Sequence, residues 1–361
     1  MKKVLVGLSG GVDSAVSAAL LKEQGYEVVA VYLRAWDPLT ADEALKSNCP
    51  WQDDVADASR VAAQLDIPFS VIDVREAYQA KVTKVLEREY AAGLTPNPDI
   101  LCNREMKFGL MLDLAEELGF DAVATGHYAR IKLLATKHQA MHNTELHRAL
   151  DTKKDQTYFL WTLKADQLKR IFFPLGELTK SQVRNEALKR GLIVATKKDS
   201  QGICFLGPLK LRSYLASRLK TKPGIVVDID GNHVGRHQGV NLYTLGQRDG
   251  LGIFGGQAKK FYVVDKSFKE NILVVGEQPP ESAGLTAGNL NLLEDLGVGD
   301  QLEARIRHGQ EPQKCVIKEL TRTGEIRVQF DTPQIAVAPG QSVVFSIGTK
   351  ILGGGIISAS N

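Results

Sequence analysis

Residues Gly7-Leu8-Ser9-Gly10-Gly11-Val12-Asp13-Ser14 directly follow the apolar run Val4-Leu5-Val6. This order describes a strand that enters a glycine-rich turn and then a helix. Such a turn is an anion cradle: glycines let backbone N–H groups approach a phosphate, Ser9 and Ser14 add hydroxyl donors, and a helix starting near Val12 presents its positive dipole end. The chain has no Gly-Lys-Ser or Gly-Lys-Thr, so the loop is not of the Walker type and adenylyl transfer is favoured over γ-phosphoryl transfer.

A second chemical group is Thr95-Pro96-Asn97-Pro98-Asp99-Ile100-Leu101-Cys102-Asn103. Two prolines two apart read as an extended loop, with the next helix opening near Lys107 and Phe108. That loop delivers Asp99 and Cys102 together. A carboxylate can move a substrate proton, but beside a thiol it raises the thiol pKa, so a reactive Cys102 needs a cation or a helix N-terminus nearby. A third group, Ser200-Gln201-Gly202-Ile203-Cys204-Phe205, lies about a hundred residues further on.

The elements that must position these groups follow from the hydrophobic pattern. Apolar runs at 4–8, 28–33, 69–74 and 122–125 are short and mostly β-branched, as in buried parallel strands. Helical patterns at 12–22, 54–64, 77–92 and 106–118 alternate with them, and Gly25, Gly93 and Gly119 are stop signals. The expectation is a doubly wound α/β domain whose ligand lies at the carboxyl ends of the strands, where the first loop and Thr125-Gly126-His127 both emerge. After Leu206 the texture becomes glycine-spaced and β-rich, with one helix near 209–219, a hairpin turn at Asp230-Gly231, and alternating strands at 303–306, 313–317, 326–330 and 342–347 that suggest a small barrel.

With 361 residues, 43% hydrophobic and 24% charged, the composition is that of a soluble globular chain of two or three domains. The divisions expected are 1–208, 209–282 and 283–361. Four scattered cysteines exclude a disulfide scaffold or a close-spaced zinc ribbon. No apolar run reaches membrane-spanning length, and the reading is cytoplasmic. The net charge of +3 is unevenly distributed: Arg148–Lys222 carries 17 Lys+Arg against 6 Asp+Glu, a balance of +11, leaving −8 elsewhere. Such segregation points to a polyanionic partner. His138, His142 and His147 read as part of a solvated insertion, and Cys49 and Cys315 as structural.

Taken in order, the loop Ser9–Ser14, Asn97-Pro98-Asp99-x-x-Cys102-Asn103, Ala124-Thr125-Gly126-His127-Tyr128, Lys154-Asp155-Gln156-Thr157-Tyr158-Phe159-Leu160, Ser200–Phe205 and Tyr243-Thr244-Leu245-Gly246-Gln247-Arg248 resemble the motifs of tRNA-specific 2-thiouridylases, members of the PP-loop ATP pyrophosphatases. The resemblance runs almost from end to end. It implies a PP-loop α/β domain of adenine-nucleotide-hydrolase type, a small central tRNA-binding domain and a C-terminal β-barrel. It further implies that ATP with Mg²⁺ is held by Gly7, Leu8, Ser9, Gly10, Gly11, Val12, Asp13, Ser14, Leu33 and Gly126. By the same resemblance Asp99 serves as acid/base and Asn97, Pro98 and Asp99 contact the target base, while Cys204 carries a persulfide delivered by a donor protein. Cys102 is the nucleophile that ends in a disulfide with Cys204. The tRNA contacts implied are His127, Lys154, Asp155, Gln156, Arg307, His308 and Gln341. Two departures stand out: Arg307-His308 replaces an Arg-Tyr pair, leaving a histidine to stack, and Gly202 replaces an acidic residue. Rival readings are a PP-loop enzyme with an amine nucleophile, which needs no cysteine pair, and a silent tRNA-binding module. An iron–sulfur cluster on Cys102, Cys204 and Asp99 ranks below the persulfide.

Overall fold

The computed structural model describes residues 1–35, 51–134, 144–199, 211–254 and 260–361. By its contacts the chain divides into two units. The first comprises Met1–Val82, Pro98–Leu209 and Ser346–Gly353, and the second Thr83–Asn97, Lys210–Phe345 and Gly354–Asn361.

The first unit is built on five parallel strands, β1 (Lys3–Gly7), β2 (Glu27–Arg34), β3 (Phe69–Asp73), β4 (Ala122–Ala124) and β7 (Ile171–Phe172), in the order β3-β2-β1-β4-β7. Central β1 buries Val4, Leu5 and Val6 completely, which is why it reads as an unbroken apolar run. The chain leaves β1 toward β2 and β3 on one side and later returns to β4 and β7 on the other. The crevice beyond the ends of β1 and β4 is therefore the switch point where such sheets take ligands. Helices α1 (Val12–Glu23) and α2 (Trp51–Gln64) flank the sheet, and Ala15, Val16, Ala18 and Ala19 let α1 pack closely. Further helical runs are α3 over 75–91, α4 over 98–117 and α5 (Lys180–Lys189).

Two expectations change here. The segment after Asn97 is helix: α4 opens at Pro98 and carries Asp99 and Cys102. Proline is accepted in the first turn because its missing N–H would have no intrahelical partner there. His147 is not on a solvated insertion but sits 6% exposed in β6 (Thr144–Arg148), bonded to Glu145 at 2.8 Å and Thr349 at 3.0 Å. That strand pairs with β5 (Ala129–Leu133) and with the start of β17 (Lys350–Ser360). His138, His142 and Cys49 lie outside the described residues.

In the second unit, helix α6 (Leu211–Arg218) precedes a four-stranded sheet. Its strands, β8 (Gly224–Asp228), β9 (His233–His237), β10 (Tyr262–Ser267) and β11 (Ile272–Gly276), follow the order β10-β11-β8-β9, with Asp230-Gly231 in the β8–β9 turn. The remaining strands, β12 (Glu281–Leu292), β13 (Gln301–Arg305), β14 (Gln313–Leu320), β15 (Ile326–Ile335) and β16 (Ser342–Ile347), run β12-β15-β14-β13-β16-β17, and β17 returns to β12 to close a six-stranded barrel. Alternate residues such as Ile326, Val328 and Phe330 fill its interior. Cys315 is buried there, and burial pushes its thiol up to about 12, so it is unreactive as its strand position suggested. Among the described residues no helix is long and apolar enough to cross a membrane.

Candidate functional site

The loop after β1 is held open by its own residues. Ser14 Oγ accepts from the Ser9 N–H at 3.1 Å, donates to Gly11 O at 3.1 Å and lies 3.1 Å from Ser9 Oγ, so one hydroxyl clasps both limbs of the turn. Gly10 has φ +75°, and a Cβ there would stand 2.3 Å from the backbone oxygen of Asp54. Beyond β4, a Cβ at Gly126 would meet Ser14 N at 2.7 Å, so only glycine lets the two strand ends approach. A Cβ on Gly11 would meet Ser9 Oγ alone, at 3.5 Å, which leaves the face of the cradle clear for a phosphate. The residues present fit a nucleoside triphosphate: backbone donors at a helix start, the exposed Ser9 hydroxyl and an open face. Leu33, 6% exposed near the carboxyl end of β2, sits in the neighbouring strand of the same sheet.

A charged cluster that sequence reading missed surrounds this loop. Lys180 Nζ lies 2.7 and 2.9 Å from the Asp13 carboxylate and 2.8 Å from Asp199, and Tyr128 OH donates to Asp13 at 2.9 Å. Asp199 also accepts from Arg184 at 2.6 Å and Lys154 at 2.9 Å. Burial alone would raise Asp199, but the hydrogen bonds from Lys180 and Lys154 hold its carboxyl down at about 2. Lys197 Nζ bonds Gly10 O at 3.0 Å, Asp54 at 2.8 Å and Asp57 at 2.7 Å, linking the loop to α2. The sequence offered only a count of charges; partners far apart along the chain carry no local signal. Part of the +11 is met by carboxylates outside the segment: Arg190 pairs with Glu23, Arg170 with Glu116, Lys180 with Asp13, and Lys197 with Asp54 and Asp57.

Helix α4 is anchored at the same edge of the sheet. Met111 Sδ is 3.3 Å from where a Gly7 Cβ would be, and Phe108 packs against the His127 ring with centroids 5.6 Å apart. Cys102, fully buried, lies six residues before Phe108 on the same helical run, which is π-helical over Asn103–Leu110. Asp99 and Cys102, at i and i+3 of Pro98–Cys102, share a face. Cys204 lies outside the described residues.

His127 is 5% exposed, bonds Thr125 Oγ1 through Nδ1 at 2.8 Å, and is boxed by Phe108 and Phe173. Burial, with the Lys107 charge adding, holds it well below 6.5. The folded protein therefore keeps this ring neutral where the unfolded chain protonates it, and stability fully present above about pH 6.5 is lost as pH falls below that value. His147 is depressed in the same direction by burial. Thermal unfolding from about pH 7.5 to about pH 5.5 should show a falling melting temperature, with a shallower fall in His127→Gln; equal slopes would remove His127 from this account.

The remaining candidates divide by accessibility. Asp155 is 3% exposed and accepts from Ala149 N and from Thr157, while Gln156 Oε1 accepts from Tyr128 N at 2.9 Å, so these two brace the turn. Lys154 is half-exposed beside Asp199, and Lys153 is exposed. Arg307 and His308 lie exposed between β13 and β14. Gln341 Nε2 donates to Thr95 O at 2.6 Å and Thr95 N donates to Pro339 O at 3.0 Å. Gln341 thereby fixes the limb leading into Asn97. Among the described residues no cluster of three metal-ligating side chains occurs.

Three family models match successive parts of the chain: a tRNA methyl transferase HUP domain over residues 2–208, a tRNA methyl transferase PRC-barrel domain over 212–277 and an aminomethyltransferase beta-barrel domain over 282–357. The tRNA-specific 2-thiouridylase MnmA of Akkermansia muciniphila is 44% identical over 99% of this chain and 99% of its own length. That of Sodalis glossinidius is 45% identical over 99% and 97%. A solved 4-thiouridine synthetase in complex with RNA and ATP aligns with 57% of this chain and 45% of its own at 21% identity and a TM-score of 0.36, too remote to speak for the chemistry here. Full-length identity at this level, on a chain whose glycine-rich loop and Asp99–Cys102 helix meet one sheet edge, places the chain in the tRNA-specific 2-thiouridylase family.

Proposed function

We propose that this chain 2-thiolates the wobble uridine of tRNA at the expense of ATP. The observation that carries the reading is the open glycine-rich loop at the β1–β4 switch point together with a helix, anchored at that edge, that bears a carboxylate and a cysteine on one face. ATP, with Mg²⁺ offsetting its charge, supplies the adenylyl group that makes the uridine C2 oxygen a leaving group. Loop N–H groups, Ser9 and Ser14 hold the phosphates, and Lys180 balances Asp13 so that the carboxylate does not repel them. Leu33 and Gly126 border the nucleotide. Asn97, Pro98 and Asp99 receive the base, with Asp99 moving the proton.

Sulfur arrives on Cys204 as a persulfide from a donor protein. Its terminal sulfur becomes bonded to C2 as AMP departs, and the Cys102 thiolate closes on the Cys204 sulfur. The product is a Cys102–Cys204 disulfide, which two electrons from a thiol reductant reopen. Lys154, Arg307, His308 and Gln341 contact tRNA, with His127, Asp155 and Gln156 shaping the surface behind them. Of the divisions 1–208, 209–282 and 283–361, the first serves catalysis and the second tRNA binding, and the third is the β-barrel that carries Arg307, His308 and Gln341.

Pyrophosphate release from ATP should require unmodified tRNA, and tRNA affinity should fall steeply with salt. Lys153→Ala should flatten the slope of log K against log salt by about 0.7–0.9. Release that ignores tRNA would contradict the substrate, and an unchanged slope would remove Lys153 from the footprint.

A further inference from the structure

A cavity of about 250 Å³ opens within the second unit, lined among others by Gly93, Thr95, Leu245, Lys266, Phe268 and Pro339. This is smaller than the roughly 300–1,000 Å³ of sites for drug-sized ligands and suits a single planar ring system. Two features give it chemistry. Lys266 sends two of its three ammonium N–H groups to Gly93 O at 3.1 Å and Tyr243 O at 2.9 Å. The third has no acceptor among the described residues. Burial pushes this lysine down to about 8 against the opposing pull of Asp265, so a hydrogen-bond acceptor in the cavity would favour the charged form.

The second feature is Phe268, 44% exposed at the cavity wall. Its ring tip rests on Gly93, where φ is +85° and a Cβ would stand 2.4 Å from Cζ. Bracing of this kind leaves an aromatic surface open to solvent in a fixed orientation, with Lys266 Nζ 5.3 Å from its centroid. An exposed ring beside a part-buried donor is how proteins hold unpaired bases: stacking supplies affinity, and the donor selects a ring oxygen or nitrogen.

We propose that this cavity is a subsite for an unpaired nucleobase of the RNA strand that carries the target uridine, stacked on Phe268 and accepting a hydrogen bond from Lys266. The inference rests on the tRNA reading above. Thr95, which lines the cavity, is two residues from Asn97, a span of at most about 7 Å. A strand that places its target base at Asn97 thus brings an adjoining nucleotide to the cavity. The bases that satisfy Lys266 are those with an exposed acceptor, such as a pyrimidine carbonyl or guanine O6 and N7.

The test uses the full-length protein with an unmodified tRNA transcript and with two transcripts made abasic directly 5′ or 3′ of the target uridine. Phe268→Ala should raise Kd for the intact transcript about tenfold, and Phe268→Trp, which keeps a stacking surface, should restore it. On one of the abasic transcripts Phe268→Ala should add nothing. A Kd within about twofold of wild type, or the same loss on both abasic transcripts, would overturn the subsite. Wild-type thiolation of the intact transcript separates the two ideas: unchanged Kd with thiolation intact brings down only the subsite, whereas absent thiolation brings down the underlying reading.

Discussion

Cys102→Ser should abolish thiolation, lowering the rate by roughly three orders of magnitude or more, while tRNA-dependent pyrophosphate release persists. A serine hydroxyl is nearly isosteric with the thiol but does not ionise in the accessible range and cannot form the bond to sulfur that closes the reaction. The two half-reactions therefore separate. The phosphate cradle draws on residues 7–14 and 126, and Cys102 lies on another element, α4. Because Cys102 is fully buried, circular dichroism on the variant must first show an unchanged fold. Loss of pyrophosphate release in a folded Cys102→Ser protein, or full thiolation by it, would contradict this division of labour.

Gly10→Val should remove ATP binding, raising Kd by at least about a hundredfold, or ~2.7 kcal/mol, and should destabilise the protein as well. The left-handed backbone at Gly10 (φ +75°) costs about 1–2 kcal/mol for a residue with a Cβ. That Cβ would also stand 2.3 Å from the Asp54 oxygen and 2.9 Å from its carbonyl carbon, backbone atoms that cannot swing aside. Gly11→Ala provides the contrast. Its Cβ meets only the Ser9 hydroxyl at 3.5 Å, so the fold tolerates it, yet the methyl occupies the face proposed for phosphate. Calorimetric titration with ATP and thermal melts should show both losses in Gly10→Val and only the binding loss in Gly11→Ala. Wild-type ATP affinity in both would displace the nucleotide from this loop.

How far the sequence was legible depends on whether each feature is local. The run Val4-Leu5-Val6 announces a strand buried on both faces, and the glycines after it announce the cradle, because burial and left-handed backbone are written in adjacent residues. Strand β7, two residues long, leaves too little pattern to see. Pro98 was legible as a break in helix but not as a helix start, since proline marks both. The succeeding side chains distinguish the two cases, and here Ile100, Leu101 and Cys102 are all buried against the fold. The grouping of Lys154, Lys180 and Arg184 around Asp199 was invisible, because ion pairing across a fold obeys no spacing. His147 lay too close to irregular sequence to be read as a strand residue, although Glu145, two positions away on the same face of β6, is its partner.

Mass spectrometry of nucleosides tests the central claim most directly. Unmodified tRNA would be incubated with the protein, ATP, Mg²⁺ and a persulfide source, alongside Cys102→Ser and Cys204→Ser. The account predicts 2-thiouridine that appears only with ATP and is lost in both variants. An ATP-dependent tRNA product without sulfur, or 2-thiouridine formed as well by Cys204→Ser, would contradict it.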